Sequence, residues 1–157
     1  MEYEIAEALI EINGVGFRTD NPITFKSGMK SPVYCDNRAF PFWPKQWAKV
    51  TPRADSAIIA LYTDYESDER GEYTFVLGSK AAAASEIPEG KVLKTVPAGR
   101  YAVFTSERGP VQRVVVETWQ RIWSELQSRS FVADFEVHDQ RAADPTNAVV
   151  DIYVGVK

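Results

Sequence analysis

The chain has 157 residues, 45% hydrophobic and 25% charged, enough for one globular domain with a buried core, with or without an appendage. Its net charge of −4 and the lack of a basic stripe exclude direct nucleic-acid binding as the expected role. A single cysteine excludes an internal disulfide and fits a reducing cytoplasm, and no apolar run approaches the ~20 residues of a membrane span.

In chain order, Ile5, Ala8, Leu9 and Ile12 share one face of a predicted helix over residues 3–12, ended by Asn13-Gly14. Residues 23–26 and 32–36 predict a hairpin around Ser27-Gly28, and Pro41 and Pro44 break regular structure beyond it. Thr51-Pro52-Arg53 reads as a junction. Ile58–Thr63, apolar on both faces, predicts an interior strand. The acidic DYESDERG turn leads to a return strand over residues 72–78. Asp64, Glu66 and Asp68 alternate as loop ligands do in calcium sites, but no bidentate glutamate follows at the required distance, so no metal is expected there. An alanine-rich connection over 80–88, a short strand over 92–96 and a strand at Arg100–Thr105 follow.

Gly109-Pro110 predicts a helix start, with proline at the first helical position. Val111, Val114, Val115, Thr118, Trp119, Ile122, Trp123 and Leu126 then recur at the spacing of one helix face. Val116 breaks the pattern. Trp119 and Trp123, four residues apart, stack on that face. The spacing leaves two readings open: both indoles pack on a sheet, or one lines a cavity. Residues 134–138 predict a strand with Phe135 and Val137 on one face and Asp134, Glu136 and His138 on the other. By itself this alternation places Glu136 in water. Residues 148–156 close the sheet, with Val150, Ile152, Val154 and Val156 sharing a face.

The runs PAGRYAVF, W-x-x-x-W, DFEVHD and VDIYVGVK, with IIALYTDYESDERGEYTFVLG upstream, resemble the gyrase-inhibitor-like (GyrI-like) domain. This is the effector-binding domain of AraC-type and related regulators, and the resemblance covers about residues 55–157. It implies an α+β fold: two βαββ repeats in one antiparallel sheet, helices on one face, and a ligand cleft between the repeats. Residues 92–156 hold a complete second repeat, and residues 58–78 the hairpin of the first. The first strand and helix of that repeat fall to residues 10–18 and 42–50, or the repeat is incomplete. The resemblance further implies that Glu136 faces a central cavity and meets hydrophobic, cationic ligands. His138 stands where tyrosine is usual. Tyr62, Tyr73, Tyr101, Trp119, Trp123 and Tyr153 are candidate cage aromatics, with Tyr101 and Trp123 the preferred walls.

The expected function is a small-molecule binding module, for a lipophilic or cationic effector or drug, without a DNA-binding domain. The alternatives are an inhibitor that binds a protein such as DNA gyrase, and a hydrolase using the pocket glutamate as base. No cofactor is expected. The sequence has no HxH, HExxH or CxxC motif for a metal, and no nucleophile–base motif.

A second resemblance lies upstream. FKSGMKSPVYCDNR, within a match over about residues 2–50, resembles the N-terminal piece of orotate phosphoribosyltransferase. It implies a helix and a hood-like hairpin, with Lys26 near phosphoribosyl diphosphate and Tyr34 and Cys35 near orotate. Residues 51–157 lack that enzyme's diphosphate-binding loop and its mobile Lys- and His-bearing loop, so transferase activity is not expected. The expected organisation is a transferase-like fragment over 1–50 and an effector-binding domain over 51–157.

Overall fold

The structure is a computed structural model that describes residues 2–24, 29–31, 33–35, 42, 57–81 and 91–157. Lys26, the Ser27-Gly28 turn, Pro41, Pro44, residues 43–50, the Thr51-Pro52-Arg53 junction and residues 82–88 lie outside the described residues. The chain divides into two compact units, Met1–Ala54 and Asp55–Lys157.

The first unit begins with α1 (Glu2–Glu11), followed by β1 (Val15–Phe17), β2 (Ile23–Thr24), β3 (Lys30–Ser31) and β4 (Val33–Cys35). Ala8, Leu9 and Ile12 are buried. The helix stops in a Schellman turn. Asn13 takes a left-handed φ of 54°, its N–H donates to the Ile10 carbonyl, and the Gly14 N–H donates to the Leu9 carbonyl. The expected hairpin is redistributed. β2 pairs with β3, whereas β4 pairs with β1, a strand that Val15-Gly16-Phe17 did not announce by alternation.

The second unit contains β5 (Ile58–Thr63), β6 (Thr74–Ser79), β7 (Arg100–Thr105), α2 (Val111–Glu125), β8 (Arg129–His138) and β9 (Asp151–Val156). Its five strands form one antiparallel sheet in the order β6-β5-β8-β9-β7. The architecture is α+β, and β5, apolar on both faces, is interior between β6 and β8. The strand expected over 92–96 does not form. That segment runs outside the ladder with Val92 80% exposed, and the Lys94 ammonium is held 2.6 Å from the Asp64 carboxylate at the start of the β5–β6 connection.

Directly paired residues of a ladder point to the same face. Ile58, Ala60 and Tyr62 therefore share a face with His138, Glu136 and Asp134, and Ile152 and Val154 join them. α2 covers this face with Val111, Val114, Val115, Thr118 and Ile122, all buried. Each such aliphatic side chain contributes about 1.5–3 kcal/mol on burial. Pro110 is the N-cap of α2 and not its first helical residue. The cap has no side-chain acceptor, and the Val111 N–H donates instead to the Pro145 carbonyl at 2.8 Å. Gly109 and Ala148 exchange backbone hydrogen bonds and tie the helix start to the chain entering β9.

β8 starts five residues earlier than the alternation at 134–138 indicates. Its register against β9 slips between Arg129 and Asp134, where Arg129 pairs with Val156 and Asp134 with Val154. Five steps along β8 thus match two along β9. The slack is taken up by a bulge in which Phe131 adopts a φ of 55°, a strained value for an aromatic residue. The bulge folds Arg129 back onto Asp134. β9 passes close by: a Cβ on Gly155 would sit 2.6 Å from Ser130 Oγ and 2.8 Å from the Ala133 carbonyl, so only glycine fits. Among the described residues no helix is long and apolar enough to cross a membrane.

Candidate functional site

β8 carries two buried carboxylates on the face beneath α2. Asp134 is fully buried and fully satisfied. Its Oδ2 accepts from Arg129 Nη2 at 2.8 Å and from the Tyr65 hydroxyl at 2.7 Å, and its Oδ1 accepts from the Gly155 N–H at 2.9 Å. Arg129, also buried, lies 4.5 Å over the Phe131 ring and 5.8 Å from that of Trp119. The Asp134 charge is therefore matched by a fixed cation.

Glu136 is differently held. It is 2% exposed, and its Oε1 accepts from the Tyr62 hydroxyl at 2.9 Å and from Trp119 Nε1 at 2.8 Å. Its Oε2 lies 2.8 Å from His138 Nε2, which is buried with it. Two of its donors are neutral, and the third is a group whose charge depends on protonation.

Tyr62 and Trp119 are also walls of a cavity of about 250 Å³. α2 contributes Val116, Trp119 and Trp123, β5 contributes Tyr62, the β5–β6 connection contributes Tyr65, Glu69 and Tyr73, and β8 contributes Arg129. The rings of Tyr62 and Trp119 meet edge to face at 5.6 Å and 82°, those of Tyr62 and Tyr73 at 5.7 Å and 64°, and the two indoles stack at 6.2 Å and 30°. Trp123 is 53% and Val116 52% exposed, so both present apolar surface at the mouth. Burial, and then the Glu136 charge beside it, pushes the Tyr62 hydroxyl far above the ordinary phenol range. Burial and the Asp134 charge do the same to Tyr65. Both phenols stay protonated donors to the carboxylates behind them.

The structure thus brings Tyr62, Trp119 and Trp123 together around one cavity, with Glu136 directly behind the first two. Glu136 corrects both sequence expectations: it is not in water, and it does not line the cavity, because Tyr62 and Trp119 stand in front of it. Tyr101 and Tyr153 lie elsewhere. Tyr153 pairs with Phe135, stacking on it at 4.7 Å, and Tyr101 packs edge-on against the same ring at 5.4 Å. This trio occupies the sheet face opposite Glu136, and the Tyr101 hydroxyl donates to the Pro97 carbonyl. Tyr65, Glu69, Val116 and Arg129 were not singled out as site residues by sequence. The one signal was Val116, an apolar residue on the polar side of α2. Among the described residues no group of three His, Cys, Asp or Glu side chains is arranged to hold a metal ion.

Comparison with known proteins places the chain in a family. Residues 26–156 match Cass2, described as integron-associated effector binding protein. The match reaches into the segment that resembles orotate phosphoribosyltransferase. YobU of Bacillus subtilis, which carries the name of a transcriptional regulator, is 36% identical over 148 residues, covering 92% of this chain and 90% of its own. Orotate phosphoribosyltransferases of Bacillus cytotoxicus and Bacillus cereus are 51% identical over 45 residues, 29% of this chain. That stretch is 21% of those enzymes' length. With most of its length matched, the chain belongs to the Cass2 family of effector-binding proteins.

Proposed function

We propose that this protein binds a small lipophilic cation in the aromatic cavity between α2 and the β5–β6 connection, as a GyrI-like effector-binding module. One observation carries the reading: a buried carboxylate, Glu136, is hydrogen-bonded to two of the aromatic walls, Tyr62 and Trp119. Ring faces attract cations by about 0.5–2 kcal/mol each, and a carboxylate behind the rings adds to that attraction. Tyr65, Tyr73 and Trp123 extend the cage, and at its edge half-exposed Glu69 is ion-paired at 3.6 Å with Arg129, which leaves Glu136 as the carboxylate behind the rings. The relative's name supports a setting in transcription regulation. The element order β7-α2-β8-β9 is one βαββ unit, and we read β5–β6 as the hairpin of a first one.

The burial of Glu136 favours binding over hydrolysis, since a water molecule in the cavity meets Tyr62 and Trp119 before any Glu136 oxygen. The test is a matched ligand pair. Phenyltrimethylammonium and tert-butylbenzene have the same shape and differ by one charge. Titration followed by tryptophan fluorescence should show the cation binding at least about tenfold more tightly, or ~1.4 kcal/mol. Equal binding of the two, or binding without any change in tryptophan emission, would overturn the proposal.

A further inference from the structure

The geometry points to His138 as the residue that sets the charge of the effector site, so that uptake of a cation expels a proton from the His138–Glu136 pair to solvent. This rests on the reading of the cavity as a cation site, and it adds a property that His138 brings to it. Glu136 and His138 are both buried, 2.8 Å apart, on the same face of β8. When the imidazole is protonated the pair is neutral overall, and the carboxylate's share of the attraction is cancelled, leaving the ring faces. When the imidazole is neutral the pair carries one negative charge directly behind Tyr62 and Trp119. A cation in the cavity is repelled by imidazolium and attracted by carboxylate. It therefore binds the deprotonated pair more tightly, and by linkage its binding favours loss of the proton.

Among the described residues, the groups that face the pair leave this role to His138. From β5, Ile58 and Ala60 sit opposite His138 and Glu136 in the ladder and carry no charge. Tyr62, also from β5, is held protonated. From β9, Ile152 faces Glu136. From α2, Trp119 brings an indole N–H that does not titrate. Along β8, Asp134 is matched by Arg129, and next to His138 the Asp139 carboxylate is bound by Arg141, which holds it below the usual carboxylate range.

The experiment uses the intact chain and no variant. His138 is its sole histidine, so the ring nitrogens of a histidine-labelled sample give one unambiguous pair of NMR signals. The pH at which the ring of the free protein is half protonated is found first. At that pH, saturating phenyltrimethylammonium is added, with saturation read independently from tryptophan emission. The expected result is a shift of the ring nitrogens to the neutral-imidazole pattern, with no shift on saturation by tert-butylbenzene. Three results overturn the inference: the ring does not change charge while the chain stays folded, the cation saturates without shifting the ring, or the neutral ligand shifts it equally. If neither ligand binds, the cation-site reading fails and this inference falls with it, a result distinct from saturation without a shift.

Discussion

Replacing Arg129 with methionine is expected to destabilise the second unit by about 3–5 kcal/mol, the cost of leaving a buried carboxylate without its cation. Asp134 is fully buried, and the guanidinium is the cation within ion-pair distance of it. The Tyr65 hydroxyl and the Gly155 N–H would still donate to it, but neither carries a charge. Methionine keeps the aliphatic stem but loses the guanidinium over Phe131, so the loss combines that contact with the missing charge. Arg129→Lys should lose less, since the charge remains and the planar fork is what changes. Urea denaturation of the three proteins checks this. A loss below about 1 kcal/mol for Arg129→Met, the scale of a surface ion pair, would show that Asp134 is not dependent on its partner.

Changing Glu136 to glutamine is expected to weaken binding of phenyltrimethylammonium by about 1–3 kcal/mol and to leave tert-butylbenzene within about 0.5 kcal/mol of the parent. The amide oxygen still accepts from Tyr62 and Trp119, so the cavity wall keeps its shape. What is removed is a charge behind the rings. At roughly 7 Å and an effective dielectric near 20, that charge is worth about 2 kcal/mol to a cation in the cage. Isothermal titration of both ligands into both proteins separates the effects. Equal losses for the cation and its neutral isostere would mean that the substitution damaged the wall and that the charge is not felt in the cavity.

Much of this arrangement is legible in the residues. The spacing from Val111 to Leu126 gives α2 and its buried face, and Val116, out of phase, marks the side that meets the cavity. The alternation at 134–138 correctly groups Asp134, Glu136 and His138. Their burial is not legible, because an alternating strand reads as half solvated until the helix above it is placed. Register is the second gap. Tyr101 and Tyr153 look as suitable for a cage as Tyr62, yet pairing of Tyr153 with Phe135 and of Tyr101 with Gly155 puts both on the far face of the sheet. A shift of one residue would have reversed that, and no local pattern fixes it. The third is the bulge at Phe131, where a bulky residue at positive φ defeats propensity and brings Arg129 to Asp134 across five residues. The run at 92–96 has a strand's composition, but among the described residues no strand pairs with it. In the first unit, Ile23 and Thr24 find Ser31 and Lys30 as partners, closer in sequence than the 32–36 run expected for them.

The central claim, a cation held by Tyr62, Trp119 and Trp123 in front of Glu136, is tested most directly by crystals soaked with 4-bromophenyltrimethylammonium. Bromine's anomalous signal locates the ring, and the electron density then gives the ammonium. The account predicts one bromine peak within the cavity, with the ammonium against the Trp119 and Tyr62 rings on the side facing Glu136. A peak against Phe135 and Tyr153 on the opposite face, or a cavity left unoccupied at saturating ligand, would contradict it.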